Sequence, residues 1–200
     1  GTRSGTSGRP YVLAVGRLVA AKGFRRTIDW MRELPEIDLI VTGAGSEEAE
    51  LRRQASGLPN VVFSGWRDGA ALRALYRDAL ALVVPSQFPE TFGYVLIEAF
   101  AEGTPAIVSR MGALPDVVEA AGAGLVCDSD EEFVAAVRRM MDVDARAAFA
   151  ERAVAGLRKN WNEADHVAKY LALVARFTSM SPIQAQEGRT GLRPGLSDLL

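Results

Sequence analysis

Residues 80–109 read LALVVPSQFPETFGYVLIEAFAEGTPAIVS, and the architecture can be worked out from this segment. The run 80–84 is apolar throughout, too short for a helix and rich in the aliphatic types that suit a strand covered on both faces. A loop leads to Thr91, a helical pattern spans 93–102, and a second apolar run occupies 105–109. Strand, helix and strand of these lengths make one βαβ unit, whose two strands run parallel. The same alternation extends outward. Strands are expected at 11–15, 38–42, 61–64 and 124–127, with helices at 24–34, 47–56, 70–77, 130–143, 144–159 and 163–177. The expected fold class is therefore α/β: a doubly wound, Rossmann-like parallel sheet with right-handed crossovers and helices on both faces.

Composition bounds the rest. In 200 residues, 48 % are hydrophobic and 24 % charged, the balance of a folded globular chain. A net charge of −2, from 23 basic and 25 acidic residues, argues against a nucleic-acid partner but leaves room for a local basic pocket. The single Cys127 excludes an internal disulfide and a multi-cysteine zinc site, and fits a cytoplasmic setting. Twenty arginines against three lysines read as GC-rich, bacterial coding. No apolar run is long enough for a transmembrane segment, and no signal peptide is expected. Residues 1–9 (GTRSGTSGR) read as a leader or linker, 10–177 as the ordered domain, and 178–200 as a mobile tail.

A doubly wound sheet takes its ligands at the carboxyl ends of its strands. After the first strand come Gly16-Arg17-Leu18 and Lys22-Gly23. Arginine's planar fork and lysine's compact charge both suit phosphate oxygens, although this loop alone fits two solvated surface cations equally well. After the second comes Gly43-Ala44-Gly45-Ser46, read as a tight turn with Ser46 capping the next helix. After the fourth, Glu90 lies in the loop and Gly93 at the helix start, where free N–H groups and the positive dipole end favour an anion. Glu98 lies five residues further on, about 7.5 Å along the axis. That matches the spacing between the diphosphate and ribose of one nucleotide. Flanked by Ile97, Ala99 and Phe100, Glu98 is expected to be partly buried; the bland alternative is an acid that complements the helix dipole.

Together, GRLVAAKG, GAGS, VVFSGW and PSQFPETFGYVLIEAFAEGTPAIVS resemble the retaining glycosyltransferases of family 4, the glycosyl transferases group 1. They are similar to the carboxyl-terminal, donor-binding half of a GT-B fold, over about 10–177, with its E-x7-E element. The resemblance implies that Arg17 and Lys22 hold the donor diphosphate and that Gly16 lets the backbone approach it. Glu90 would contact the sugar hydroxyls. Phe92 and Gly93 would turn amides to sugar or phosphate, Glu98 would take the ribose, and Trp66 and Arg67 would lie at the base. Glu90, Arg17 and Lys22 are the implied catalytic residues. The donor is a nucleoside-diphosphate sugar (UDP-, GDP- or ADP-linked), with no cofactor and no metal. The implied partner is a missing amino-terminal acceptor domain, which would also carry any attachment to the inner membrane face.

One departure stands out. The Gly-Gly-x-Pro-Glu pattern expected after the fifth strand of the βαβ series appears as Met111-Gly112-Ala113-Leu114-Pro115-Asp116, which puts in doubt a ligand contact from that loop. His166 is expected at the surface, Cys127 in the packing, and Trp161 in the family's closing segment. A non-catalytic nucleotide-sugar-binding module is the alternative to an enzyme. An epimerase is disfavoured, because GRLVAAKG is not the G-x-G-x-x-G of a dinucleotide site.

Overall fold

The computed structural model describes residues 8–179; the leader through 7 and the tail from 180 lie outside the described residues. Six strands form one parallel sheet: β1 (Tyr11–Val15), β2 (Asp38–Thr42), β3 (Val61–Gly65), β4 (Leu82–Val84), β5 (Ala106–Ser109) and β6 (Gly124–Cys127). Between them run α1 (Phe24–Trp30), α2 (Glu48–Gln54), α3 (Gly69–Asp78), α4 (Tyr94–Ala101) and α5 (Leu114–Ala121). After β6 come α6 (Asp130–Arg139), α7 (Val143–Asn160) and α8 (Glu163–Ser179).

The sheet order is β3-β2-β1-β4-β5-β6, with every pairing parallel. The order reverses at β1, which lies in full register with β2 (Tyr11↔Asp38 to Val15↔Thr42) and meets β4 at Leu13↔Leu82. Chains leaving β1 and β4 therefore depart to opposite sides, opening a crevice between their carboxyl ends.

Strand residues alternate between two cores. Val12, Ala14, Leu39, Val41, Val83 and Ile107 join Phe24 and Ile28 of α1, Leu51 of α2, and Phe133 and Val137 of α6 in one buried cluster. Leu13, Ile40 and Leu82 are equally buried and turn to the opposite face, where the Tyr11 hydroxyl donates to the Leu75 carbonyl of α3 at 2.8 Å. Burying each large aliphatic side chain contributes roughly 1.5–3 kcal/mol.

Sequence and structure differ at several points, among them the ends of α1 and α6, which stop at Trp30 and Arg139. Helix α5 was not expected. The loop after β5 turns directly into it, with Pro115 in the first turn and Asp116 beside it. Ser46 does not cap α2: the N-cap is Glu47, whose N–H donates to the Leu18 carbonyl at 2.9 Å. The glycine turn is thus packed on the loop after β1, and the main chain of that loop satisfies the helix start. The last leader residue, Arg9, pairs with buried Asp38 at 3.3 Å. Thr178 and Ser179, assigned to the tail, complete α8.

The described residues form two compact units, 8–160 and 161–179. Helix α8, in the second, exposes Val167, Tyr170, Leu171, Leu173, Val174 and Phe177. His166 is exposed on the same helix. Cys127 is buried, which pushes its thiol up to about 12, aided by the charges of Glu132 and Asp128. Among the described residues no helix is long and apolar enough to cross a membrane.

Candidate functional site

The crevice is built by two loops that touch. The segment after β1 turns through a short 3-10 helix, Ala20–Lys22, and ends at Gly23 with φ 72°. A Cβ on Gly23 would overlap the Pro85 carbonyl oxygen of the loop after β4, so glycine is required on both counts. The Gln87 N–H donates to the Ala21 carbonyl at 2.8 Å and fastens the loops together. This contact sets the Lys22 Nζ 2.6 Å from Glu90 Oε1.

Glu90 is held from three sides. The hydroxyl of Ser86, itself fully buried, donates to the same Oε1 at 2.7 Å. The Ser109 hydroxyl donates to the Ser86 carbonyl at 2.7 Å, fixing that serine to β5. The backbone of Glu90 bridges to Gly112, and the Ala113 N–H donates to the Glu90 carbonyl at 2.8 Å. Burial alone would raise the Glu90 carboxyl. Hydrogen bonds from Lys22 and Ser86, with the charges of Lys22 and Arg17, outweigh it and hold the group below its ordinary value.

Gly93 adopts φ 82° and serves as the N-cap of α4 without a side-chain cap, leaving first-turn N–H groups at the crevice wall. Two cavities adjoin there. One, of about 230 Å³, is lined by Gly16, Arg17, Lys22, Ser86, Glu90 and Gly93 among others. The second, of about 310 Å³, is lined by Arg17, Thr42, Ala44, Trp66, Arg67 and Glu98 among others. They share Val15, Gly16, Arg17 and Val95.

Of the residues singled out in the sequence, the structure gathers Gly16, Arg17, Lys22, Glu90 and Gly93 around the first cavity, and Trp66, Arg67 and Glu98 around the second. Phe92 lines neither; its ring packs edge-to-face on Tyr94 at 5.2 Å. Trp66 is 66 % exposed and so is not a packing residue. Glu98 is exposed, against expectation. Its helical neighbours Leu96, Ala99 and Phe100 turn inward, and the helical phase carries Glu98 to the opposite side. There its Oε2 accepts from the Tyr76 hydroxyl at 2.8 Å.

Sequence reasoning missed Ser86, Ser109 and Tyr76. Ser86 had a weak signal, lying four residues before Glu90 in the same loop; the other two come from separate elements and had none. The departing loop, Met111 to Asp116, lines neither cavity and instead supports the Glu90 backbone through Gly112 and Ala113.

In sequence along the crevice lie an acid paired with a lysine, an arginine beside uncapped helix amides, and a second acid near an exposed aromatic ring. Such an array suits a ligand with a polyol at one end, an anionic centre, and a planar group with vicinal hydroxyls at the other.

The chain is 37 % identical over 132 residues to the GDP-mannose-dependent alpha-(1-6)-phosphatidylinositol dimannoside mannosyltransferase of Mycobacterium tuberculosis, covering 63 % of this chain and 34 % of that one. The sucrose-phosphate synthase of Thermosynechococcus elongatus superposes with a TM-score of 0.76 at 29 % identity, covering 86 % of this chain and 46 % of that one. Anabaena HepE, solved with UDP and glucose, shares the fold with a TM-score of 0.74 at 23 % identity, covering 86 % and 49 %. The chain thus spans less than half the length of these relatives. Residues 3–155 match the family described as glycosyl transferases group 1, a match over most of the chain, and the protein belongs to that family.

Proposed function

We propose that this chain is the donor-binding half of a retaining glycosyltransferase, which moves a hexose-type sugar from a nucleoside-diphosphate sugar to an acceptor hydroxyl. The observation that carries this reading is the pair of adjoining cavities meeting at Arg17, with Lys22 and Glu90 in one and Trp66, Arg67 and Glu98 in the other. The GDP-mannose dependence of the mycobacterial relative supports a nucleotide-sugar donor.

In this reading the diphosphate lies at the junction, against Arg17, Lys22 and the amides that open α4. Negative charge grows on the diphosphate as the sugar leaves. Fixed cations and N–H groups aimed at it lower that barrier without reorganising. Lys22 then has two anionic neighbours, the diphosphate and Glu90, and spans the junction of phosphate and sugar. Glu90, kept ionised, accepts from the sugar hydroxyls and orients the ring. Glu98 accepts from the ribose, with the base toward Trp66 and Arg67.

Acceptor placement and water exclusion are assigned to an amino-terminal domain, so the chain as given binds donor without transferring it efficiently. Calorimetric titration with UDP-, GDP-, ADP- and TDP-sugars tests the donor site. Saturating binding of one family is expected, with no added divalent metal. No heat and no thermal shift at millimolar ligand from any of the four would overturn the reading.

A further inference from the structure

Tyr76 belongs to α3, is 1 % exposed, and lines neither cavity, yet its hydroxyl reaches Glu98 at 2.8 Å. We propose that Tyr76 is a positioning residue: it holds the Glu98 carboxylate in the orientation that receives the vicinal ribose hydroxyls of a nucleoside diphosphate. The proposal rests on the donor-site reading above.

An exposed glutamate on a helix samples many rotamers, and ordering it on ligand binding costs entropy. Tyrosine has a rigid ring on two torsions, and this ring is enclosed. Its own backbone is fixed, since the Thr104 hydroxyl donates to the Tyr76 carbonyl at 2.6 Å from a fully buried position. Next to it, Arg77 pairs with Glu102 at 2.6 Å and ties the end of α3 to the end of α4. The tyrosine hydroxyl is thus a fixed point, and the carboxylate is the movable partner.

The chemistry is consistent with a lasting donor. Burial first, and then the adjacent Glu98, raise the phenol above its ordinary value, so it stays protonated and donates. A carboxylate has about four acceptor positions. One taken by Tyr76 leaves three, enough for two hydroxyls. The contact therefore orders Glu98 and leaves enough acceptor positions for a diol.

The test uses the 200-residue chain and its Tyr76→Phe variant. UDP, GDP and ADP are each titrated beside their 2′,3′-dideoxy counterparts, with inorganic pyrophosphate as the probe of the phosphate subsite alone. For the nucleotide that binds, the parent should prefer the ribose form over the dideoxy form. The variant should lose roughly three- to tenfold of that preference, the size of one ordinary net hydrogen bond, because Tyr76 acts through Glu98 and does not touch the ligand. Its affinity for pyrophosphate should not change. An unchanged ribose preference overturns the proposal while leaving the donor site standing, and so does an equal loss for pyrophosphate, which marks a structural role. A parent that binds no nucleotide, or that does not distinguish ribose from dideoxyribose, overturns the Glu98 assignment and the proposal with it.

If the variant does not fold, ¹³Cζ-tyrosine spectra of the parent replace it, the Tyr76 signal being the one most shifted by Glu98→Gln. Nucleoside diphosphate should move that signal and pyrophosphate should not; a signal that ignores both overturns the proposal.

Discussion

Lys22 and Glu90 pair at 2.6 Å, and in the proposed reading Glu90 serves the sugar end of the donor while Glu98 serves the nucleotide end. This makes the two acids of the site separable. Glu98→Gln should weaken free nucleoside diphosphate and intact donor alike. Glu90→Gln should weaken only the intact donor. Each loss should be about 1–3 kcal/mol, because a charged acceptor is lost and its partners are stranded. Titration of both variants against both ligands checks this, and equal damage to nucleoside diphosphate refutes it. Arg17→Ala should cost about 1.5–3 kcal/mol in donor affinity, read by the same titration. The lowered Glu90 pKa also has a stability consequence. A carboxyl whose folded value lies below its unfolded one adds stability above the unfolded value and loses it as pH falls through the folded one. The stability gap between parent and Glu90→Gln should therefore shrink from neutral pH into acid. Urea denaturation across that range measures it, and a gap that stays constant or widens rules the linkage out.

At the scale of elements, the crevice depends on one close contact, Gly23 against Pro85. Gly23→Ala adds a Cβ where φ is positive and the neighbour is backbone, a strain of roughly 1–3 kcal/mol. A fall in melting temperature of roughly 2–10 °C should result, with weaker donor binding as Lys22 shifts; a scan with and without nucleotide reads both. The strands were legible because each carries a short apolar run alternating with a helical pattern, and all six appear within two residues of their expected bounds. Helix α5 was not legible, since its 8 residues include Pro115 in the first turn, and proline reads as a break. Its positive signals were there: Pro at the start, Asp116 behind it and Gly122 in the left-handed conformation at the end. Within the site, the loop residues Arg17, Lys22 and Glu90 could be named because position along the chain implies position at the strand ends. Tyr76 reaches Glu98 directly, and Ser109 supports Glu90 through the Ser86 backbone, by contacts across the fold that no linear spacing encodes.

For the molecule as a whole, the proposed division of labour predicts binding without turnover. The chain should bind donor with an affinity that falls as salt rises, since Arg17 is exposed and Lys22 half-buried. It should transfer sugar to acceptors at no useful rate, because orientation alone can supply roughly 7–11 kcal/mol of a barrier and the acceptor is unplaced. Robust transfer by residues 1–200, measured by product formation, would refute that division. The strand order carries a different consequence, for synthesis. Strands β1, β2 and β3 complete their pairing once the chain reaches Gly65, but the other edge of β1 must wait for β4, which begins at Leu82. On the ribosome, the centre of the finished sheet is for a time an open, aliphatic edge, the kind that recruits other chains. A nascent chain stalled between 65 and 82 should be the most aggregation-prone and chaperone-dependent stage in the life of this protein.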